Sequence, residues 1–128
     1  MSPHAPCQVV HLELHTHDLE AASTFYRELF RWRTEQVQTP WGCYHALALA
    51  SGLDGGIVSC GAGRGTWLPY VEVDDIVPAT KRARRLGAVV LLEPREGPAG
   101  WRSVVTTSAA GEIALWQPKR RRLTGARG

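Results

Sequence analysis

Gln8-Val9-Val10-His11-Leu12-Glu13-Leu14-His15-Thr16-His17-Asp18 is the stretch on which the fold turns. Through residue 15 it alternates. Val10, Leu12 and Leu14 fall on one side of an extended chain, and His11, Glu13 and His15 fall on the other. That pattern predicts a strand with one apolar and one polar face. Asp18 then stands where a helix N-cap belongs, with Glu20 well placed against the positive end of the helix. From there to about Trp32, the residues Leu19, Ala22, Phe25, Tyr26, Leu29 and Phe30 recur at helical spacing. Phe25, Tyr26, Phe30 and Trp32 are expected in the core.

Downstream, strands are expected near residues 33–38, 43–50 and 56–60, with turns at Pro40 and Gly42 and at Gly52 through Gly56. Gly61-Ala62-Gly63-Arg64-Gly65 reads as a linker. After it the order repeats. Trp67 to Val73 reads as a strand, and Asp75 as the cap of a helix that ends at Leu86 and buries Ile76, Ala79, Ala83 and Leu86. Gly87 falls where a left-handed C-cap belongs. Strands follow near 88–92, 101–107 and 112–117. The chain is therefore βαβββ, linker, βαβββ, an α+β pattern with an internal repeat. His11 precedes the cap Asp18 by the same interval that Leu68 precedes the cap Asp75. Neither half is large enough to bury its sheet alone. The expected organisation is one domain over 8–118, with a first module of about 8–60, a linker at 61–66, a second module of about 67–118, and a basic tail at 119–128.

Charge narrows the partners. The net +3 is unevenly placed: residues 119–128 hold five basic side chains and no acid, which leaves ten basic against twelve acidic before them. A nucleic-acid-binding domain would spread its basic residues over one face, so nucleic acid is not an expected partner. No apolar run approaches the roughly twenty residues of a membrane span. The three cysteines, Cys7, Cys43 and Cys60, are widely spaced without a Cys-x-x-Cys, which fits free thiols in a reducing compartment. The first residues lack a secretory pattern, so a cytoplasmic location is expected. Gly61 to Gly65 does not lead from a strand into a helix and is not read as a phosphate loop.

The motifs resemble the vicinal oxygen chelate superfamily, which includes glyoxalase I, bleomycin-resistance proteins, fosfomycin-resistance enzymes and extradiol dioxygenases. The carriers are His11-Leu12-Glu13-Leu14-His15-Thr16 with Asp18, and Phe25-Tyr26-Arg27-Glu28-Leu29-Phe30. Further along they are Gly42-x-Tyr44, Asp54-Gly55-Gly56-Ile57, Trp67 through Asp75, Leu86-Gly87, Gly100-Trp101-Arg102, and Gly111 leading to Leu115-Trp116-Gln117-Pro118. The resemblance covers about residues 8–118 and is closest to the small glyoxalase-like, bleomycin-resistance-like members. It implies eight strands curling as a mixed sheet into an open cup, helices on the outer face, and a homodimer.

The resemblance also implies a divalent metal at the cup floor, polarising two neighbouring substrate oxygens. Carried over residue by residue, only His11 matches a ligand position. The second position falls on Leu68 or Trp67, and the third on Leu115 or Ala114, none of which binds a metal. No cofactor is expected, with a divalent metal held by His11 and unusual partners as the alternative. His11, Glu13 and His15 could share one ion only on a bent strand, because alternate side chains lie about 7 Å apart.

The expected ligand-binding residues are His11, Glu13, His15, Tyr44, Trp67, Tyr70, Trp101 and Trp116, with Trp41 beside them. Flat rings stack on flat ligands. Glu13 and Glu72 are the candidate catalytic acids, each able to serve as a general base if burial raised its pKa. His45 shares a strand face with Leu47 and Leu49 and is ambiguous; His4 and His17 are expected at the surface. The leading expectation is a metal-free protein binding an aromatic or polar small molecule. The alternatives are a metal-dependent lyase, isomerase or dioxygenase using His11, and a metal-free acid/base enzyme using Glu13 or Glu72.

Overall fold

The computed structural model describes residues 6–40, 42–50, 52–61 and 63–119. His4, Trp41 and the tail beyond Lys119 lie outside them. In chain order the elements are β1 (Val9–Thr16), α1 (Leu19–Phe30), β2 (Arg33–Thr39), β3 (Gly42–Ala50), β4 (Leu53–Ser59), β5 (Thr66–Glu72), α2 (Ile76–Arg85), β6 (Val89–Glu96), β7 (Gly100–Thr107) and β8 (Gly111–Pro118). Eight strands pairing in mixed directions and two helices make the α+β fold of two βαβββ modules that the sequence predicts. Among the described residues no helix is long and apolar enough to cross a membrane. Cys7, Cys43 and Cys60 are exposed free thiols.

The chain divides into two compact units, Gln8–Tyr70 and the described residues from Val71 on with Pro6 and Cys7. In the first unit the strand order is β2-β3-β4-β1-β5. β1 pairs with β4 in parallel, while β3 pairs antiparallel with both β2 and β4. Asp18 caps α1 as expected: its Oδ1 accepts from the Ala21 N–H at 3.0 Å. The helix stops at Phe30 because Arg31 turns into the left-handed region at φ 60. Leu14, Leu47 and Ile57 form the core beneath α1, with Leu19, Ala22, Tyr26, Trp32, Leu49 and Trp67 packed on it.

Glycine explains why β4 begins at Leu53, inside a run that reads as a turn. Asp54, Gly55 and Gly56 pair with His11, Leu12 and Glu13. A Cβ on Gly55 would lie 2.7 Å from Leu49 Cδ1, so the core packs against bare backbone there. Only the folded neighbourhood reveals that requirement.

Two core expectations are corrected. Phe25, Leu29 and Phe30 are each more than half exposed. They lie on the flank of α1; its sheet-facing residues are Leu19, Ala22, Ser23 and Tyr26. Ser23 is fully buried and its hydroxyl bonds His45 Nδ1, while His45 Nε2 is 3.7 Å from Glu20. His45 is thereby placed on the helix side, opposite Ile57 in register. A Ser23→Ala protein should lose about 1–3 kcal/mol in urea denaturation, because a buried imidazole nitrogen is left without a partner. An unchanged midpoint would contradict this contact.

In the second unit the order is β8-β7-β6, all antiparallel. α2 covers one side of it. Leu86, expected in the core, is 72% exposed, because it lies past the last helical turn as the C-cap. Thr80 takes the buried place instead, donating to the Ile76 carbonyl at 2.7 Å and meeting the Ser103 hydroxyl at 2.8 Å. Asp75 has capping backbone geometry but makes no side-chain cap. The Ile76 N–H donates to Gln117 Oε1 at 2.7 Å, so the cap comes from β8. Pro94 sits within β6, which pairs only with β7 in its unit. An edge strand tolerates the missing donor, and the register shifts between Leu92 and Arg95.

Candidate functional site

Strand alternation puts His11, Glu13 and His15 on the face of β1 away from the Leu14 core. Glu13 is the hub. Its Oε1 accepts from His15 Nε2 at 2.8 Å and from the Tyr70 hydroxyl at 2.9 Å. Its Oε2 lies 3.5 Å from His11 Nε2. The His11 and Tyr70 rings meet edge to face, with centroids 5.0 Å apart. Gly56 stands opposite Glu13, and a Cβ there would come within 3.7 Å of the His11 ring.

The Glu13 side chain is only 16% exposed. Burial by itself raises its pKa. Hydrogen bonds to His11, His15 and Tyr70, with the charge attraction of His11, outweigh burial and hold the carboxyl well below the usual carboxylate range. The expectation of a burial-raised general base is therefore reversed at Glu13. An acid so firmly ionised is a weak base and a good anchor. Because the carboxylate carries no proton, the hydrogen in the 2.8 Å contact belongs to His15 Nε2.

The structure thus brings together His11, Glu13, His15 and Tyr70. Tyr44 is half-buried on β3, and by register it shares the sheet face of Ala46, the partner of Gly56. Trp67, expected to line the ligand face, is turned the other way. Its Nε1 donates to the Tyr26 hydroxyl at 3.2 Å, and its ring packs edge-on against Tyr26 and Trp32. Parity is the reason: Trp67 is three residues from Tyr70 on β5 and projects from the opposite side.

Glu72, Trp101 and Trp116 belong to the second unit. Glu72 is exposed at the end of β5. Trp101 pairs with Gln117 on the α2 side, and the Lys119 ammonium lies 5.8 Å from its ring centroid. Trp116 pairs with Arg102 on the other face.

The donor set does not fit the superfamily's metal. Leu68 is a buried apolar residue, and at the third position Ala114 is fully buried and Leu115 is an alkyl chain. Glu13 already serves three protein donors. Among the described residues no group of three or more His, Cys, Asp or Glu is gathered to hold an ion.

The bleomycin resistance protein-like N-terminal family model matches residues 8–40, which span β1, α1 and β2. No curated protein matches the chain. Among solved structures it is similar to a hypothetical protein from Bacillus halodurans C-125, at TM-score 0.71 and 10% identity, covering 91% of this chain and 98% of that one. It is similar to methylmalonyl-CoA epimerase from Mycobacterium tuberculosis, at TM-score 0.64 and 16% identity, with 92% and 91% covered. A Streptomyces coelicolor methylmalonyl-CoA epimerase variant in complex with 2-nitronate-propionyl-CoA gives TM-score 0.65 and 16% identity, with 91% and 100% covered. Identities this low speak for a shared fold. The family match covers residues 8–40, and the structural likenesses show a shared fold over most of the chain.

Proposed function

We propose that this vicinal oxygen chelate protein, with its bleomycin-resistance-like N-terminal segment, binds an aromatic or polar small molecule at the His11–Glu13–His15–Tyr70 face without the superfamily's usual metal. The observation that carries this reading is the commitment of Glu13 to His15, Tyr70 and His11. A carboxylate fixed by three donors holds two imidazoles and a phenol ring in place before any ligand arrives, which lowers the cost of binding. The face then offers ring edges for stacking and imidazole nitrogens for hydrogen bonding. In this reading Glu13 is a positioning residue and His11, His15 and Tyr70 are the contacting ones.

The test uses the full chain after dialysis against a chelator. Elemental analysis and calorimetry with Co²⁺, Ni²⁺ and Zn²⁺ should give no stoichiometric binding. Titration with bleomycin as the aromatic-bearing probe should quench tryptophan fluorescence saturably, and Glu13→Gln should weaken it. Stoichiometric metal binding that is lost in His11→Ala, with bleomycin bound only after metal is restored, would overturn the proposal.

The same reading makes the protein a homodimer. The exposed Phe25, Leu29 and Phe30 of α1 support it as apolar surface that a second copy could cover. Light scattering should give twice the 14.1 kDa chain mass, and a value of 14.1 kDa would contradict it.

A further inference from the structure

We infer that the edge of β6 receives an extended segment of a partner protein in which apolar residues alternate with acidic ones. β6 ends its sheet and pairs only with β7. Its outer edge therefore presents backbone groups to a further strand. The register assigns its faces. Ser103 of β7 bonds Thr80 of α2, so Val105, two residues on, also faces the helix. Val90 pairs with Val105 and Val89 with Thr106, which puts Val90 on the helix side and its neighbours Val89 and Leu91 on the other. Val89 is 61% exposed and Leu91 54%. The edge strand of the first unit differs: the exposed residues of β2 are Arg33, Glu35, Gln36 and Gln38, the polar set that discourages pairing.

The helix side of the same edge is cationic. Arg84 of α2 meets Glu93 of β6, so this flank of the helix lies toward the edge strand. Lys81 stands one turn before Arg84 on that flank, and Arg85 one turn after Lys81. Lys81 and Arg85 are exposed, and among the described residues neither forms an ion pair. A strand laid along β6 would set one row of side chains beside Val89 and Leu91 and the alternate row under Lys81 and Arg85. Apolar residues fit the first row and carboxylates the second. The match spans residues 89–92, because Pro94 and the register shift after Leu92 interrupt the strand.

Charge decides the occupant. Pairing β6 with β6 of a second copy about a twofold axis would bring two Lys81–Arg85 flanks together, and like charges facing each other repel. The residues after Lys119 are basic without an acid, so the chain's own terminus lacks the complementary charge.

The probe is the fluorescein-labelled, amidated hexapeptide Val-Glu-Val-Glu-Val-Glu. Titration with the full chain should raise its anisotropy saturably, and in a ¹H–¹⁵N spectrum it should shift the amides of residues 89–92. The Val-Lys-Val-Lys-Val-Lys counterpart should bind at least about tenfold more weakly. Methylating alternate backbone nitrogens of the acidic peptide should weaken it at least about tenfold, since strand addition rests on main-chain hydrogen bonds. The double variant Lys81→Glu, Arg85→Glu and the single variant Leu91→Lys should each cost about tenfold in affinity. Their thermal midpoints should be unchanged, since all three side chains are exposed. Failure of the acidic peptide to bind, equal affinity for the lysine peptide, undiminished binding after methylation, or shifts that spare residues 89–92 would each overturn the inference. So would a homodimer that dissociates in Leu91→Lys, because the edge would then belong to a second copy.

Discussion

A Gly100→Ala protein should be the most damaged of the single-methyl variants, losing about 3 kcal/mol, toward the upper end for forcing an atom into a packed site. The added Cβ would lie 2.3 Å from the Gln117 carbonyl oxygen and 2.9 Å from the Trp116 ring. Neither neighbour can step aside cheaply. The oxygen is backbone in β8, where Trp101 pairs with Gln117 and Gly100 with Pro118. The Gln117 side chain also caps α2 through Ile76, so a shift of β8 would loosen the helix. The thermal midpoint should fall by roughly 10 °C for a chain of this size. Gly97→Ala is the matched control. Its nearest new contact is 3.7 Å, an ordinary van der Waals distance, and its cost should stay within about 0.5 kcal/mol. Equal losses in the two variants would contradict the close approach.

Glu13→Gln carries the second large effect. The substitution keeps the shape and removes the charge on which His15, Tyr70 and His11 converge. Hydrogen bonds to charged groups are worth about 1.5–3 kcal/mol, so a loss of about 2 kcal/mol near neutral pH is expected. The pH dependence follows from the direction of the shift. The folded pKa lies below the ordinary 4.5, so the unfolded chain binds the proton more readily. The stabilisation is fully present above 4.5 and is lost as pH falls toward the folded value. The gap between the native protein and Glu13→Gln should therefore be widest near neutrality and close in acid. Urea midpoints measured across the acid range check this; a gap that widens as pH falls would refute it.

Much of the fold was legible because it rests on local pattern. The alternation of residues 8–15 gave β1 its two faces, and Asp18 and Gly87 marked helix ends that the structure keeps. Other features depend on residues far apart in sequence. Gln117 takes the capping role of Asp75, accepting from the Ile76 N–H forty-one positions away. Gly55 reads as part of a turn until Leu49 is seen occupying the space its side chain would need.

The candidate site divides in the same way. His11, Glu13 and His15 could be placed on one face from their spacing. The Tyr70 contact on Glu13 spans 57 positions, and it joins His11 and His15 in lowering the Glu13 pKa. Trp67 and Trp101 were expected beside Tyr70 and Trp116, yet strand parity turns them to the helix sides.

The most direct measurement is an acid titration of the Glu13 side-chain carboxyl carbon by ¹³C NMR. Glu13 is expected to remain ionised through the range in which the exposed glutamates take up protons, titrating only well below them. A midpoint at or above that of the exposed glutamates would mean that the carboxylate is not held by His11, His15 and Tyr70. The preorganised face would then have no basis.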